Sequence, residues 1–196
     1  AIFIPTILSF VIVGFAWKLI LSPIWGIAPT MLGSVGLGFL YQPWLGKEEY
    51  ALTTLSLISV WQFVGIPMML IYAALLTIPE EILEAGEIDG ITGMTAFWKI
   101  KLPLILPSIG IISILTFVGN FNAFDLIYAS QGALAGPDFS TDILGTFFYR
   151  TFFGFQLQLG DPHMGAAVAS AMFAIILVGV CVYLFGIQTR LRRYQL

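Results

Sequence analysis

The segment "PEEILEAGEIDGITGMTAFWKIKLP", residues 79–103, concentrates charge between two long apolar runs. Five of the eleven acidic residues in the 196-residue chain fall within ten positions here, namely Glu80, Glu81, Glu84, Glu87 and Asp89. Only 10% of all residues are charged, whereas soluble globular domains carry about a quarter. The segment therefore indicates a stretch that meets water, between stretches that do not.

Four runs elsewhere contain no Asp, Glu, Lys or Arg, and they cover residues 1–17, 52–76, 104–124 and 166–187. About 20 apolar residues in a helix cross a hydrocarbon core roughly 30 Å thick. We therefore predict an all-α membrane protein, a polytopic helical bundle with transmembrane helices over about residues 3–21, 52–76, 104–128 and 166–187. The alternative is a soluble protein with buried helices, but four such runs leave too little amphipathic surface for a water-facing exterior.

The whole chain, residues 1–196, is predicted to form one transmembrane domain. Gly65 and Pro67 lie inside the second predicted span, where a proline removes a backbone hydrogen bond, so we expect a kink there. Short helices are predicted around residues 28–35 and 142–153, in the loops between spans. The first residue is not Met and no basic segment precedes the first apolar run. We therefore expect that the chain begins inside a longer protein or is trimmed.

The basic residues predict the orientation of the chain in the membrane. Segment 77–103 and the C-terminal tail contain Lys99, Lys101, Arg190, Arg192 and Arg193, whereas the opposite side contains Lys47 and Arg150. Because cytoplasmic loops carry an excess of Lys and Arg, this bias places segment 77–103 and the C-terminus in the cytoplasm.

The sequence lacks the usual motifs of catalytic, phosphate-binding and metal sites. It contains no GxxxxGK[ST] phosphate loop, no metal-ligand spacing and no nucleophile elbow, and its single histidine, His163, follows Asp161 and Pro162 in a loop. We expect no catalytic residues, no metal site and no nucleic-acid partner. The single cysteine, Cys181, lies in an apolar run and is expected to serve packing.

The local pattern of residues 77–103 predicts a helix, a turn and a second helix. Thr77 and Glu80 have the spacing of a capping box, and acids crowd the first turns. Gly90 permits a turn, and a second helix is predicted over Gly93–Lys101, ended by the "LPLILP" stretch. Two interpretations remain open at this point: a connector lying on the membrane, or a docking element for a cytoplasmic partner.

"EAGEIDGITGMTAFWKIKLP" resembles the EAA loop of binding-protein-dependent ABC importer permeases. The residues in register with that pattern are Glu84, Ala85, Gly90, Ile100, Leu102 and Pro103, and Asp89 and Phe97 match its longer form. Gly86 and Ile91 depart from the alanines usual in the family. The resemblance implies that a set of residues in this loop, with Gly86 seated against the partner, couples the chain to an ATPase. The other members of the set are Glu84, Ala85, Asp89, Gly90, Ile100, Leu102 and Pro103.

The flanking sequence resembles the carbohydrate-type permeases of the maltose and glycerol-3-phosphate group. "FNAFDLIYASQGALAGPDFSTDILGTFFYRTFF" is similar to their segment with Gly-Gly-Pro, although Ala135 replaces the first glycine before Gly136 and Pro137. Such permeases have six spans, so the resemblance implies the ABC type I importer fold without its first two helices.

The resemblance also implies the partners of the chain in a bacterial or archaeal cytoplasmic membrane. They are a second homologous permease subunit, two ATP-binding subunits and an extracytoplasmic solute-binding protein, together with the lipid bilayer. No cofactor is expected in this chain, because ATP and Mg belong to the partner ATPase. The chain itself is therefore expected not to be an enzyme.

A solute path needs polar groups within the spans, where such groups are costly and often functional. The candidates are Gln62, Asn120, Asn122, Asp125 and Tyr128, the last as an aromatic platform for a sugar. Hydrogen bonding between helices explains Gln and Asn in spans equally well. The alternative function is a secondary transporter or channel for a small polar solute, although such a carrier is expected to place acids or bases mid-span.

Overall fold

The structure is a computed structural model that describes residues 2–121, 123–156 and 158–188. Within them the chain is mostly helical, and the extended pairing is limited to an isolated antiparallel bridge between Phe155 and Gln158. The chain divides into two compact units, residues 1–64 with 119–173 and residues 65–118 with 174–196. The basic tail residues Arg190, Arg192 and Arg193 and the candidate Asn122 lie outside the described residues.

The α-helices follow one another in this order: α1 Ile4–Ile7, α2 Phe10–Ile20, α3 Ile27–Ser34, α4 Glu48–Phe63, α5 Gly65–Leu76, α6 Glu80–Ile88, α7 Gly93–Ala96, α8 Leu102–Phe121, α9 Phe124–Gln131, α10 Leu144–Phe153 and α11 Pro162–Cys181. Short 3₁₀ turns occupy Gly38–Leu40 and Pro137–Phe139, and π-helical turns occupy Phe97–Lys101 and Val182–Gln188. The short loop helices predicted around residues 28–35 and 142–153 correspond to α3 and α10.

Two helices are long and apolar enough to cross a membrane, Gly93–Phe121 with 29 residues and Pro162–Gly186 with 25. Helices α4 and α5, taken together as one broken span, are also long and apolar enough to cross a membrane. The first predicted span, 3–21, is interrupted and leaves α2 as a shorter apolar helix. The third predicted span, 104–128, is also divided, because α8 ends at Phe121 and α9 begins at Phe124. The membrane character is therefore supported, while the count of four spans stays a prediction.

The interruption in the first span has a local cause at Ser9. Its ψ of 149° takes the backbone out of the helix, and its hydroxyl accepts a hydrogen bond from the backbone N–H of Ile12 at 3.3 Å. Serine is a preferred N-cap because it satisfies a backbone donor that has no partner within the helix. Ser9 therefore starts α2 as a new helix.

The kink predicted at Gly65 and Pro67 is confirmed. Helix α4 ends at Phe63, Val64 forms the break, and α5 starts at Gly65. Pro67 is the third residue of α5, where its missing N–H has no helical acceptor to lose. The break therefore lies just before the proline that requires it.

The core of the first unit forms where α2 packs against α9. Its buried residues are Val13, Leu21, Leu55, Ile58, Leu126, Ile127 and Ala135. A Cβ on Gly14 would lie 2.9 Å from the backbone oxygen of Leu126, so the absence of a side chain permits this close approach. In the second unit, a Cβ on Gly179 would lie 2.5 Å from Phe117. Small residues at helix contacts are the usual means of packing within membranes.

The loop after α9 turns through a left-handed backbone at Ala135, whose φ is 54°, and Gly136, whose φ is 78°. Ala135 is fully buried, and its carbonyl oxygen accepts a hydrogen bond from the backbone N–H of Thr141 at 3.0 Å. A residue with a Cβ is strained in this region, whereas glycine is not. The alanine found where the related pattern has glycine thus occupies a position that glycine fits better.

We expect Ala135→Gly to stabilise the protein by up to about 1 kcal/mol, because it relieves the left-handed strain at the cost of one buried methyl group. The measurement is the midpoint of thermal unfolding of the detergent-purified protein. Ala133→Gly is the matched control, because Ala133 is also buried but has no positive φ. A lower midpoint for Ala135→Gly than for Ala133→Gly would contradict the expectation.

Candidate functional site

The charged segment begins differently from its predicted capping box. Helix α6 starts at Glu80 with Pro79 as its N-cap, and no side chain caps it. The hydroxyl of Thr77 instead donates to the backbone oxygen of Ala74 at 2.7 Å. The predicted capping box between Thr77 and Glu80 is therefore wrong, because Thr77 completes the end of α5 rather than the start of α6.

The turn at Gly90 closes α6 as the sequence predicts. Gly90 has a φ of 75°, and its N–H donates to the oxygen of Glu87 at 3.0 Å. The next N–H, that of Ile91, donates to the oxygen of Gly86 at 2.8 Å. These two bonds form a Schellman motif, which fixes the direction of the chain after the helix. Residue 90 therefore sets the angle of the loop, and a residue with a Cβ would be strained there.

The second predicted helix, Gly93–Lys101, does not end at "LPLILP". It continues through a π-helical turn at Phe97–Lys101 into α8 as one helix from Gly93 to Phe121. The N–H of Leu102 bonds to the oxygen of Phe97, five residues earlier. A wider turn before Pro103 accommodates the proline without a break, since Pro103 offers no N–H of its own. Ile100, Leu102 and Pro103 thus join the loop rigidly to an apolar helix.

Gly86 faces the inside of the loop. It is buried, and a Cβ at this position would overlap the Cδ1 atom of Ile100. The departure from the related pattern thus has a packing reason, because glycine lets α6 lie against Ile100. Gly86 is therefore placed against its own loop, which differs from the expectation that it seats the helix against a partner.

The opposite side of α6 is exposed and apolar. Ala85 is exposed, and Ile88, three residues later on the same face, has 87% of its surface accessible. On the following helix, Met94 and Trp98 are 72% and 61% accessible and lie four residues apart. We call Ala85, Ile88, Met94 and Trp98 the exposed apolar set. Glu84 and Asp89, next to Ala85 and Ile88 in sequence, are also exposed, and exposed apolar residues among polar ones are typical of an interaction surface.

Gln62 lies away from any surface. It is fully buried, and its side-chain amide donates to the backbone oxygen of Leu8 at 3.0 Å. The backbone oxygen of Gln62 accepts a hydrogen bond from the hydroxyl of Thr6 at 2.8 Å. Both carbonyls lie next to helix breaks, where the helical N–H partners are missing. Gln62 therefore joins the break after α1 to the break after α4, and its position fits helix pairing better than solute contact.

We expect Gln62→Leu to lower the free energy of unfolding by about 1 kcal/mol. The Leu8 oxygen would lose its donor, and the removal of the buried Gln62 Oε1 atom, which has no partner among the described residues, offsets part of that cost. Thermal unfolding in detergent measures the effect. The matched control is Gln42→Leu, an amide in the loop before α4 that is only partly buried. Equal midpoints for the two variants would contradict the structural role of Gln62.

Three further candidates for the solute path lie around the junction of α8 and α9. Asn120 is exposed near the end of α8, Asp125 is exposed in the first turn of α9, and Tyr128 lies one turn later. Asp125 and Tyr128 are three residues apart and share a helix face. Gln62 does not join this group, since it is fully buried against Leu8.

Tyr149 is a neighbour of Tyr128 that the sequence analysis missed. The two hydroxyls are 3.4 Å apart and the ring centroids 5.1 Å apart. Phe124 stacks on Tyr128 at 5.2 Å and also contacts Tyr149 at 5.4 Å. The aromatic run in α10 indicated that Tyr149 could be functional. Its contact with Tyr128 joins residues 21 positions apart and therefore depends on the fold.

An ion pair holds the loop between α9 and α10. The guanidinium of Arg150 donates to Asp142 at 2.6 and 2.9 Å and to the oxygen of Ala133 at 2.9 Å. The side chains of Arg150 and Asp142 are only 12% and 23% accessible. Burial raises the pKa of Asp142, but hydrogen bonds from Arg150 and Thr146 and the charge of Arg150 outweigh it, so the pKa lies below its usual value. The pair therefore holds Asp142 ionised.

The lowered pKa of Asp142 predicts a loss of stability in acid. The contribution is present above the ordinary carboxyl pKa of about 4 and is lost as the pH falls through the lowered value of the folded protein. We expect the unfolding midpoint of the natural chain to fall more steeply below about pH 5 than that of Asp142→Asn. A hydrogen bond with Asp138 raises the pKa of Glu48, so protonation of Glu48 favours the folded state as the pH falls. This effect on stability is opposite in sign to that of Asp142, and it is present in both proteins. Parallel pH curves would refute the prediction.

The helical architecture, the long apolar helices and the amphipathic charged loop define an α-helical integral membrane protein. Residues 39–193 match the family model of the binding-protein-dependent transport system inner membrane component. The chain therefore belongs to this family. Together with the sugar permeases among its relatives, described next, this confirms the predicted resemblance to permeases of carbohydrate-type ABC importers.

Several curated relatives are sugar permeases. The chain is 33% identical to the multiple sugar-binding transport system permease protein MsmF of Streptococcus mutans, over 91% of this chain and 58% of the relative. It is 28% identical to the trehalose/maltose transport system permease protein MalF of Thermococcus litoralis, over 92% of this chain and 57% of the relative. The chain thus spans a little more than half of each of these relatives.

A solved structure supports the fold. The chain resembles a subunit of the bacterial alginate ABC transporter in complex with alginate pentasaccharide-bound periplasmic protein, with a TM-score of 0.72 at 23% identity. The match covers 94% of this chain and 60% of that subunit. The likeness concerns the arrangement of helices, and it agrees with the predicted importer permease fold.

Proposed function

We propose that this chain is the transmembrane subunit of an ATP-driven importer and forms part of the translocation path for a sugar or related polar solute. Coupling to a cytoplasmic ATPase runs through segment 77–103. The observation that carries the proposal is the exposed apolar set on a loop whose geometry is fixed by the turn at Gly90. Exposed Ile88 and Trp98 are costly in water, and a partner surface would remove that cost.

The proposed mechanism treats α6 as a rigid connector. Glu84 offers a carboxylate to a cationic or hydrogen-bonding group of the ATPase, while Ala85 permits close approach. The segment from Ile100 through Leu102 and Pro103 passes any displacement into α8, because no break separates them. Closure of the ATPase pair on ATP would then tilt the spans between two discrete arrangements.

The proposed assembly includes a second homologous permease subunit, two ATP-binding subunits that hold ATP and Mg, and an extracytoplasmic solute-binding protein. The periplasmic protein in the alginate transporter complex supports the last of these. We further propose that segment 77–103 and the C-terminus lie in the cytoplasm, and that four spans of this chain follow two preceding spans.

The proposed solute is a sugar because the names of several relatives include sugars. These names mention multiple sugars, trehalose and maltose, or xylose and arabinose. Asn120, Asp125 and Tyr128 are proposed to line the path, with Asn122 beside them in sequence. Aromatic faces and carboxylate or amide groups together suit a ring that has both C–H and O–H surfaces.

The test is uptake by the complete transporter in proteoliposomes with its solute-binding protein. Radiolabelled maltose, trehalose, xylose and arabinose are supplied with ATP inside or outside the vesicles, or with an ion gradient alone. The proposal expects uptake of at least one sugar only when ATP is on the cytoplasmic side. Uptake driven by an ion gradient without ATP would instead support the secondary transporter and overturn the proposal.

A further inference from the structure

The loop between α2 and α4 carries apolar side chains that the described part of the chain leaves uncovered. The loop contains α3 and the 3₁₀ turn Gly38–Leu40. We call its large apolar side chains that are more than half exposed the α3 surface, and they are Ile24, Trp25, Ile27, Met31, Val35, Phe39 and Leu40. A contiguous run of exposed apolar groups of this kind indicates contact with an apolar phase rather than with water.

The same loop contains no charged side chain. Residues 19–46 include no Asp, Glu, Lys, Arg or His. The loop between α9 and α11, by contrast, contains Asp138, Asp142, Arg150 and Asp161, and two of these form an ion pair. A surface that docks on another protein has a polar rim around its apolar centre. The absence of charge on both sides of the α3 surface therefore favours lipid over a protein as its partner.

The backbone of this loop makes its hydrogen bonds internally, which a segment in hydrocarbon requires because no water is there to replace them. The Ser22 hydroxyl accepts from the backbone N–H groups of Ile24 and Trp25, each at 3.3 Å, and the Ser22 carbonyl accepts from Gly26 at 2.9 Å. After α3, further N–H groups donate to carbonyls of the same loop, and they belong to Val35, Gly36, Leu37, Leu40 and Tyr41. These groups do not depend on water as a partner.

Helix α3 differs from a helix that lies on a membrane surface with one face in water. Such a helix has a strongly charged face, whereas the residues of α3 carry no charge and the Ser34 hydroxyl donates to the oxygen of Met31 at 2.8 Å. Its 8 residues extend about 12 Å at 1.5 Å per residue. This length is less than half of a hydrocarbon core roughly 30 Å thick. Helix α3 therefore suits a position within one leaflet and is too short to cross the membrane.

We propose that residues 24–40 are embedded in one leaflet of the bilayer, where the α3 surface contacts lipid acyl chains. The lipid contact continues along the chain from α2, whose side chains Ile12, Phe15 and Leu19 are also apolar and exposed. Because residues 19–46 contain no Lys or Arg, the contact does not depend on anionic headgroups. The connection from α2 to α4 is thus held in the membrane itself, and it is not a loop in water.

The test places spin labels in the complete transporter in lipid nanodiscs. Cys181→Ala removes the natural thiol, and Met31→Cys or Val35→Cys then provides a single labelling site. Power saturation compares how often each label collides with oxygen, which concentrates in hydrocarbon, and with a nickel chelate, which stays in water. We expect collisions with oxygen to exceed those with nickel at both positions. The result should be the same in phosphatidylcholine alone and in its mixture with phosphatidylglycerol.

Gln158→Cys is the matched control, because Gln158 is exposed in the charged loop between α9 and α11. Its label should collide more with nickel than with oxygen. The unfolding midpoint of each labelled protein is compared with that of the natural chain, and Phe39→Cys replaces a position whose label lowers the midpoint.

Three results would overturn the proposal. If nickel reaches Met31 and Val35 as freely as Gln158, residues 24–40 lie in water. If neither oxygen nor nickel reaches them, another protein surface covers the α3 surface. If collisions with oxygen exceed those with nickel only when phosphatidylglycerol is present, the contact depends on anionic headgroups rather than on acyl chains.

Discussion

Ala85→Arg is expected to reduce ATP-driven sugar uptake by about 100-fold while the protein still inserts and folds. Ala85 is exposed on α6 beside Ile88, and the proposed interface requires a small residue there. A long cation would separate the two surfaces or be buried without a partner, at a cost of roughly 3 kcal/mol. The helix itself tolerates arginine, because Glu81 and Asp89 lie four residues to either side.

The control for this prediction is Glu87→Arg. It places the same side chain on the same exposed helix, two residues along and therefore on the other side, and it changes the net charge more. We expect Glu87→Arg to retain most of the uptake. Co-purification of the ATPase and sugar-stimulated ATP hydrolysis measure coupling, and the unfolding midpoint measures folding. If both variants lost uptake equally, charge rather than a docking face would explain the loss.

Arg150→Met is expected to lower the free energy of unfolding by about 2–3 kcal/mol, because it leaves the partly buried Asp142 carboxylate without its counter-charge. It also removes the hydrogen bond to the Ala133 oxygen and the contact of the guanidinium with Phe139, whose centroid is 5.0 Å away. Methionine keeps much of the apolar stem, so lost packing contributes less. Thermal unfolding in detergent above pH 6, where Asp142 is ionised, gives the measurement.

A double-mutant cycle isolates the ion pair. Arg150→Met with Asp142→Asn should be more stable than Arg150→Met alone, because the second change removes the orphaned charge. Lys47→Met is the comparison for an exposed lysine in another loop and should change stability by less than about 0.5 kcal/mol. Additive effects of the Arg150 and Asp142 changes would show that the two side chains do not stabilise each other.

Local chemistry made the charged segment predictable. Gly90 was expected to turn the chain, and its positive φ and the Schellman bonds of Gly90 and Ile91 follow from the lack of a Cβ. The kink before Pro67 was predictable for the same kind of reason, because proline lacks an N–H. Both depend on one residue and its nearest neighbours.

Choices between competing local partners, and contacts between distant residues, were not predictable in this way. Thr77 had the spacing of a helix cap but bonds back to Ala74, because a hydroxyl near a helix end has two acceptable partners. Gly86 was expected to seat α6 against a partner, but Ile100 occupies the space of its missing side chain. Gln62 looked like a solute ligand, but the carbonyl it satisfies belongs to Leu8, 54 residues away.

Residue patterns alone predicted that the chain is helical, enters the membrane and carries a charged loop of a known pattern. Apolar run length, charge placement and glycine or proline geometry act locally, so they can be recognised without the fold. The packing of the helices was needed to show that Tyr149 contacts Tyr128, that Arg150 pairs with Asp142, and that Trp17, Trp44 and Trp61 line one groove. Those arrangements depend on which helix faces pack together, and nearly uniform apolar helices leave many pairings open until all of them are satisfied at once.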